Sequence, residues 1–563
     1  MAYRSRGQRG STPGALILAF LTALSLVLVA CGASGTQSKK VGPPQPLVIV
    51  PNTGGDLVQN FNPFLNGAVN SYGQFGPVYE TLLFFNRADG SIKPWLARAY
   101  SFSSDATQIT FNLRQGVKWS DGQAFTADDV VYSLTVIQKF PASDYLGIGG
   151  SIKDVTATDP LTVHVTLTKP STSILWFLAG QSWIVSRHVW GSVGDPSKYT
   201  DKVPVGTGPY VFKSFTPQLI DFAKNPHYWQ AGKPIVPEIR FPAFDGNTTA
   251  EPAMNTGQTD WNGLYTPNVN KTFVQRDPAH NHFFFPPSDP LILFLNLTKA
   301  PFNQVDVRKA ISLAIDRNKI NTIGESGYEP PAHPTGLILP ANQEFLDPTY
   351  ATAAFNVDTA QATQLLASAG FTRKGSDGIL IGPGGKRFTI TIDGVSGYTD
   401  WDTDYQLITS DLKAVGIEVK VVDNQPDTVQ QDIQNGTFEM AIWYETPGPT
   451  PYYIYSEVLG SSNSAPIGQS ATGNFERWSD ATTDSLLNQY DTSTDMATQK
   501  QAMYGLEKIA VEQVPVIFLV NEPYWYEYNT HKYVGWPDRG NLYAEPSPFS
   551  YPDDEVVLLN LHQ

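Results

Sequence analysis

Hydrophobic and polar residues follow different patterns in the two halves of the chain. Before about residue 299 the clearest signals are short alternating or β-branched runs at 47–50, 108–113 and 161–167, which predict strands. The segment "TADDVVYSLTVIQ" starts at Thr126 and repeats apolar residues at helical spacing. It predicts a helix capped by that threonine, so this half mixes strands with helix.

After about residue 299, helical and strand-like segments alternate. Three segments have apolar residues at helical spacing, and two have strand character. They are "DVRKAISLAIDRNKI" from Asp306, "DTAQATQLLASAG" from Asp358 to Gly370, "YQLITSDLKAVG" ending at Gly416, "IEVKVV" at 417–422 and "VPVIFLV" at 514–520. This alternation is typical of an α/β lobe.

An uncharged, mainly apolar run at 15–30 follows Arg4, Arg6 and Arg9. The run is shorter than the roughly 20 residues that a membrane-spanning helix needs, and small residues follow it. This layout predicts a secretory signal peptide over residues 1–30 and an exported mature protein.

The single cysteine, Cys31, lies at the end of that run. The sequence "LVAC" at 28–31 resembles the lipobox of bacterial lipoproteins, which implies cleavage before Cys31 and diacylation of its thiol. Two acyl chains anchor a protein stably, so we expect attachment to the outer face of the plasma membrane or in the periplasm. Residues 31–46 would form a flexible tether. The alternative is a secreted protein with an incidental cysteine.

Composition narrows the classes to which the protein can belong. About 530 residues follow the signal peptide, which is enough for two or three lobes. One cysteine cannot form a disulfide within the chain, so burial of aromatic side chains has to stabilise the fold. The net charge of −15 argues against a nucleic-acid partner. The motifs HExxH, GxSxG and GxxxxGK(S/T) are missing from the sequence, which disfavours metallopeptidase, α/β-hydrolase and NTPase activities.

Four phrases stand out along the mature chain. They are the 79–133 segment that begins "YETLLFFNRADGSIKPWLARAY", "PVGTGPYVF" at 204–212, "NPHYW" at 225–229 and "LFLNLTKAPFNQVDVRKAISLAIDR" at 293–317. Together they resemble family 5 of the extracytoplasmic solute-binding proteins, the receptors of peptide and related ABC importers. Within the first phrase we expect Trp119, Asp121, Gly122 and Asp129 to serve packing, turn formation and capping.

The resemblance implies an α/β, two-lobed periplasmic-binding-protein fold of class II (cluster C type), with an extra subdomain in lobe I. The ligand would lie between the lobes, and the partners would be the permease subunits of an ABC importer. Lobe I would cover 47–292 and 519–563, and lobe II would cover 293–518. The chain would cross between the lobes near 293–297 and 517–520.

A peptide ligand needs a carboxylate for its ammonium group, because an unpaired buried charge costs several kcal/mol. The peptide receptors that the chain resembles supply an Asp shortly after a Trp in a lobe II strand. The matching stretch, "FEMAIWYETPGPTPYYIYSEVLG" at 438–460, has Trp443 but lacks that Asp. Glu445 is the candidate substitute.

Three segments are more similar to family members that bind β-linked oligosaccharides, namely 257–265, 448–459 and 536–546. Rigid aromatic rings cover sugar faces, while amides and carboxylates bind hydroxyls. We therefore favour a β-oligosaccharide and keep an oligopeptide or dipeptide as the alternative. The candidate ligand contacts are Asn52, Trp183, Trp261, Asn262, Asn296, Trp401, Trp443, Tyr444, Glu445 and Trp525.

The sequence predicts neither a cofactor nor a metal. Nickel and haem, which relatives carry, fit less well because the eight histidines are scattered. Their one close pair, His280 and His282, is too few ligands for a metal site. We expect a monomeric receptor without enzymatic activity. Two other classes stay open: an exported glycoside hydrolase, which needs only two carboxylates, and a cell-wall adhesion lipoprotein.

Overall fold

The computed structural model describes residues 43–65, 69–396, 398–445 and 448–563. The predicted signal peptide, Cys31 and most of the tether lie outside these residues. Within them, no helix combines the length and the apolar character needed to cross a membrane. Strands are numbered β1–β20 and helices α1–α14 along the chain.

The first lobe is built on a seven-stranded mixed sheet. In order across the sheet its strands are β12 (Asn281–Phe283), β20 (Glu527–Asn529), β11 (Trp261–Asn262), β1 (Leu47–Val50), β10 (Glu238–Pro242), β9 (Leu219–Lys224) and β8 (Tyr210–Thr216). The central strand β1 runs parallel to β10 and β11, and the outer pairs are antiparallel. β1 has the sequence LVIV with little exposed surface, as expected for a strand covered on both faces.

The second lobe is built on a five-stranded sheet. In order, its strands are β17 (Glu418–Asn424), β16 (Thr389–Val395), β18 (Met440–Tyr444), β13 (Pro287–Leu295) and β19 (Ile517–Pro523). β16 runs parallel to β17 and β18, whereas β13 is antiparallel to β18 and β19. The last five residues of β13, LILFL, are all fully buried, which suits an interior strand.

Residues 83–167 of the first lobe add a smaller antiparallel sheet. Its strands, in order, are β4 (Ala97–Phe102), β5 (Gln108–Leu113), β7 (Thr162–Leu167) and β6 (Ile152–Asp159). In the same part of the chain, β2 (Leu83–Phe85) and β3 (Ile92–Pro94) form a two-stranded ribbon. A second ribbon, of β14 (Arg373–Lys374) and β15 (Leu380–Ile381), lies between β13 and β16 in the sequence. The predicted strands 47–50 and 108–113 are confirmed.

Helices cover both lobes. They are α1 (Ala127–Lys139), α2 (Ile174–Trp176), α3 (Arg187–Trp190), α4 (Asn247–Asn255), α5 (Val269–Thr272), α6 (Val305–Ala314), α7 (Arg317–Lys319), α8 (Thr359–Ser368), α9 (Thr399–Ala414), α10 (Pro426–Asn435), α11 (Pro451–Leu459), α12 (Ala481–Asp491), α13 (Met496–Gln513) and α14 (Asp553–Asn560). The expected helices from Thr126, Asp306 and Asp358 are confirmed as α1, α6 and α8.

Trp119 and Asp129, which the sequence predicts to serve packing and capping, have these structural roles. Trp119 is fully buried and donates its indole N–H to Asp129 Oδ2 at 3.3 Å. Asp129 also accepts the backbone N–H groups of Thr126 at 2.9 Å and Arg187 at 2.8 Å. One carboxylate thus caps α1 and ties it to the segment that begins α3.

Two adjacent segments connect the lobes, at 284–286 and 524–526. The backbone N–H of Phe284 donates to Tyr526 O at 3.1 Å, and that of Tyr524 donates to Pro286 O at 3.0 Å. The predicted crossings at 293–297 and 517–520 lie several residues away, within or just beyond β13 and β19 of the second sheet. The difference arises because the apolar segments 287–295 and 517–523 both belong to the second sheet. The chain therefore passes between the sheets before β13 begins and after β19 ends.

Candidate functional site

A cavity of about 880 Å³ lies between the two lobes. The first lobe contributes residues at the end of β1, around α2 and in the loop after β11. The second contributes the start of α9 and the end of β18, and β13 and β19 form part of the wall between them. The lining residues are Pro51, Asn52, Thr53, Arg87, Tyr145, Trp176, Gln181, Trp183, Asn247, Gly263, Tyr265, Ser288, Asp289, Tyr398, Asp400, Tyr444, Glu522, Pro523, Tyr524, Trp525, Phe549, Ser550 and Tyr551. The volume lies in the upper part of the ~300–1,000 Å³ range of small-molecule sites.

Aromatic side chains make up ten of these 23 lining residues, and their neighbours hold several of them in place. Trp183 stacks on Phe75 with ring centroids 4.9 Å apart. Tyr444 stacks on Trp443 at 5.5 Å and an interplanar angle of 11°. Rings that are already fixed lose little conformational entropy when a ligand covers them.

Trp525 is held by three edge-to-face ring contacts. Its ring centroid lies 5.2 Å from that of Tyr265, 4.9 Å from Phe285 and 6.0 Å from Tyr328. Such pairs contribute roughly 0.5–1.5 kcal/mol each beyond the area they bury. The indole therefore forms a fixed plate on the wall next to the connection between the lobes.

Among the described residues that line the cavity, three have carboxyl groups: Asp289, Asp400 and Glu522. Burial raises the pKa of all three, and for Asp289 the pKa rises to about 7. The negative charges of Asp289 and Asp400 further raise the pKa of Glu522. The wall is therefore rich in oxygen atoms that can accept hydrogen bonds and, when protonated, donate them.

The only basic side chain among the described lining residues is Arg87. Its guanidinium is ion-paired with Glu545 and lies 5.5 Å from the ring centroid of Tyr524. The positive charge of the guanidinium is therefore already balanced by a carboxylate of the protein. The cavity thus offers aromatic faces and carboxyl groups with little positive charge for an anionic ligand group.

A second group of acids lies buried behind this wall. Glu325, Glu329 and Asp404 each expose at most 2% of their surface. Burial, followed by the negative charge of neighbouring acids, raises the pKa of Glu325 to about 7 and that of Asp404 to about 10, and it raises that of Glu329 well above its ordinary value. These raised pKa values favour the protonated forms of the three groups near neutral pH, which avoids the high cost of several buried charges.

The lobes also meet at a contact beside the cavity. Asp491, at the end of α12, accepts hydrogen bonds with Oδ1 from the hydroxyl of Ser171 at 2.8 Å, the hydroxyl of Ser173 at 2.6 Å and the backbone N–H of Ser173 at 3.0 Å. Nearby, the ring centroids of Trp176 and Tyr453 lie 4.6 Å apart. We call the Asp491 contact the interlobe latch, because it joins the first lobe to the second.

Of the ten predicted ligand contacts, four line the cavity: Asn52, Trp183, Tyr444 and Trp525. The other six, Trp261, Asn262, Asn296, Trp401, Trp443 and Glu445, lie outside the lining. The first four remain our candidate ligand contacts.

The six others have structural surroundings that explain their position. Trp261 is fully buried and donates its indole N–H to Pro546 O at 2.9 Å. Asn296 is fully buried and donates to Gly436 O and Phe438 O. Asn262 is also buried.

Trp401 and Trp443 form a layer beneath Tyr444, with their ring centroids 6.1 Å apart. Glu445 is buried, and its pKa is raised by burial and by Glu457. Trp443 stacks on one face of the Tyr444 ring and Glu445 is buried after the end of β18, so neither neighbour of Tyr444 lines the cavity.

Asp289, Asp400 and Glu522 line the cavity but are not among the contacts predicted from the sequence. Asp289 precedes the apolar run of β13, and Glu522 follows the apolar run of β19. Polar residues next to the ends of buried strands were the signal that could have identified both. Asp400 adjoins Trp401, so the pattern pointed to the wrong neighbour.

His280 and His282, the close pair of histidines in the sequence, have different neighbours in the structure. His282 lies in β12 with its ring 5.3 Å from that of Tyr528, whereas His280 stacks on His531 at 4.1 Å. No histidine occurs among the described residues that line the cavity.

Comparison with known proteins identifies the family. The profile of bacterial extracellular solute-binding proteins, family 5 Middle, matches residues 91–466. The chain belongs to this family. Family 5 membership confirms the resemblance seen in the sequence, and it makes the chain a solute-binding protein of the type that serves ABC importers.

Two relatives show how far the similarity extends. The nickel-binding periplasmic protein of Escherichia coli is 27% identical over 393 residues, which are 67% of this chain and 71% of the relative. Heme-binding protein A of Haemophilus influenzae is 27% identical over 535 residues, which are 88% of this chain and 92% of the relative.

Solved structures of periplasmic binding proteins share the fold. The periplasmic oligopeptide-binding protein of an oligopeptide ABC transporter from Thermotoga maritima superposes with a TM-score of 0.85 at 24% identity, over 92% of this chain and 98% of that one. Its mannohexaose-bound form gives a TM-score of 0.77 over the same shares of the two chains at 24% identity. The expected two-lobed α/β binding-protein fold is confirmed.

Proposed function

We propose that this family 5 protein captures a β-linked oligosaccharide in the cavity between its lobes and delivers it to the permease subunits of an ABC importer. It binds and releases the ligand without chemical change. The interlobe latch then fastens the lobes around the ligand, since hinge closure of two lobes is a recognised response to ligand binding.

The single observation that carries this proposal is the composition of the cavity wall. Ten of its 23 residues are aromatic, and Trp183, Tyr444 and Trp525 are fixed by neighbouring rings. Sugar rings present C–H faces that such plates cover, and their hydroxyls bind Asn52 and the carboxyl groups of the wall. The mannohexaose complex of the Thermotoga maritima protein is an example of this fold with an oligosaccharide.

An oligopeptide is the second candidate, because Asp289, Asp400 and Glu522 offer partners for an ammonium group. A peptide also carries a terminal carboxylate, and burying that charge requires a cation or several hydrogen-bond donors. Arg87, the basic residue of the wall, is already paired with Glu545. This arrangement favours a neutral ligand over a zwitterion.

Isothermal titration calorimetry tests the ligand class. We expect mannohexaose or another β-linked hexasaccharide to bind and a neutral hexapeptide mixture to give no heat of binding. If only the peptides bind, the sugar proposal is wrong and the solute-binding role stands. If the sugar is cleaved during the titration, the protein is an enzyme.

The variant Tyr444→Ala locates the site. Loss of one stacking ring should weaken sugar binding about tenfold, which corresponds to ~1.4 kcal/mol. Tyr504→Ala is the matched control, because Tyr504 is a half-buried tyrosine of α13 outside the cavity lining. Equal affinity of the Tyr444→Ala and Tyr504→Ala variants would remove Tyr444 from the site.

We further propose that Cys31 carries the lipid that holds the protein beside its importer, and that the receptor works as a monomer. Labelled fatty acid should be incorporated into the wild-type protein in its native host and not into a Cys31→Ser variant. Incorporation into both would contradict the anchor.

A further inference from the structure

A cluster of three side chains on the first lobe lies away from the cavity. Strands β12 and β20 are antiparallel, with Asn281 paired with Asn529. His280 directly precedes the first strand and Asp277 comes three residues earlier, while His531 follows the second strand by two residues. Antiparallel pairing therefore brings the ends of two segments together across 251 residues of sequence.

The ligand-type atoms of the cluster are close to one another. His280 Nδ1 lies 3.0 Å from Asp277 Oδ2, and His531 Nε2 lies 2.8 Å from the same oxygen. The two imidazole rings are stacked with centroids 4.1 Å apart and an interplanar angle of 20°. One atom from each side chain can be chosen so that all three lie within 4.8 Å of one another.

We propose that Asp277, His280 and His531 bind a divalent transition-metal ion, with Zn²⁺ as the best match. Zn²⁺ binds imidazole nitrogen and carboxylate oxygen at ~2.0–2.2 Å, so neighbouring ligand atoms of a tetrahedral site lie roughly 3.3 Å apart. The two nitrogen–oxygen distances above are shorter than that spacing by no more than about 0.5 Å. Small side-chain rotations are enough to place an ion among the three atoms.

The backbone holds the cluster in position before an ion arrives. The N–H of His280 donates to Asp277 O at 3.0 Å, and the N–H of Asn281 donates to the same carbonyl at 2.8 Å. The N–H of Thr530 donates to His280 O at 2.9 Å, which joins the two segments beside the histidines. A site whose ligands are fixed in this way needs little reorganisation to bind an ion.

Solvent can reach the site. The side chains of His280, Asp277 and His531 are 42%, 35% and 51% exposed, respectively. A water molecule can therefore fill the fourth position of a tetrahedral ion. Two imidazoles with one carboxylate favour Zn²⁺ and its transition-metal neighbours over Mg²⁺ or Ca²⁺, which prefer oxygen ligands.

The ion would act as a clip within the first lobe. It would join the segment before β12 to the segment after β20. None of its three ligands lines the cavity, so the clip is separate from capture of the solute.

Titration of the full-length protein tests the proposal. The protein is purified without a histidine tag, freed of metal with a chelator and titrated with Zn²⁺ in a calorimeter. We expect one ion per chain, and we expect Co²⁺ at the same stoichiometry to give the visible absorption bands of a tetrahedral nitrogen–oxygen site.

Three variants identify the ligands. His280→Ala and His531→Ala should each weaken Zn²⁺ binding by about tenfold or more, since even outer partners of a metal site are worth that much. His282→Ala is the matched control, because this histidine lies two residues from His280 and packs on Tyr528. Circular dichroism verifies that each variant is folded, and Asp277→Asn repeats the test with a change that keeps the shape of the side chain.

Two results would overturn the proposal. One is the absence of stoichiometric Zn²⁺ binding by the wild-type protein, which would make Asp277 only a hydrogen-bond acceptor for two histidines. The other is an equal loss of affinity in His282→Ala and His280→Ala, or no loss in any variant, which would place the ion elsewhere.

Discussion

Replacement of Asp289 by Asn should make the protein less sensitive to rising pH. Burial raises the pKa of this carboxyl group from 3.8 to about 7. A folded state with the higher pKa keeps its proton between pH 4 and 7, where the unfolded chain has lost it. Stability therefore falls as pH rises through this window and levels off above pH 7. The amide of Asn cannot ionise, so the variant should avoid this loss.

The size of the effect follows from the shift. A change from 3.8 to about 7 corresponds to at most roughly 4 kcal/mol, at ~1.36 kcal/mol per pH unit. Asp289 is only half-buried, so screening by solvent reduces this penalty. We expect the variant to be more stable than the wild type by about 1–2 kcal/mol at pH 8 and equally stable at pH 4.

Urea unfolding at pH 4, 5.5, 7 and 8 measures this difference. Asp154→Asn, at an exposed position of β6, is the control and should follow the wild type at every pH. If the free energy of unfolding of Asp289→Asn changes with pH as that of the wild type does, burial does not raise the pKa of Asp289. The reasoning from burial is then wrong.

Three further changes test other parts of the structure. Trp261→Ala removes a fully buried ring and leaves the carbonyl of Pro546 without its donor, so chemical denaturation should show a loss of ~3–5 kcal/mol. Gly206→Ala places a Cβ atom 1.9 Å from the carbonyl oxygen of Val78, and the forced backbone shift should cost ~1–3 kcal/mol. Asp491→Ala removes the interlobe latch, whose charged hydrogen bonds contribute ~1.5–3 kcal/mol, so calorimetry should show ligand affinity reduced at least about tenfold and unchanged stability of each lobe.

Local signals predicted elements well where capping residues marked both ends. Helix α8 begins after Asp358, whose side chain accepts the N–H of Gln361 at 2.8 Å, and it ends shortly before Gly370. The apolar run predicts a strand from residue 514, three residues before β19 begins, because Val514 takes a left-handed conformation at the end of α13 and the strand starts only after it. The apolar pattern does not distinguish that turn from the strand.

The cavity was harder to predict, because a tryptophan in a core and a tryptophan on a cavity wall look alike in sequence. Trp261 and Trp525 both occur in aromatic segments, and only the fold separates the fully buried ring from the half-buried ring on the cavity wall. The same holds for Trp443 and Tyr444, which are adjacent in sequence and stack on each other, although only Tyr444 lines the cavity. His280 and His531 are 251 residues apart, so no local pattern could pair them.

The position of β20 has a consequence for the order of folding. This strand lies inside the first sheet, between β11 and β12, although it is the last strand of the chain. During synthesis the first lobe is therefore left with two unpaired strand edges until the second lobe has been made. Such edges invite pairing with other chains. We expect a nascent chain that stops before residue 527 to have an incomplete and aggregation-prone first lobe, even though most of that lobe emerged first from the ribosome.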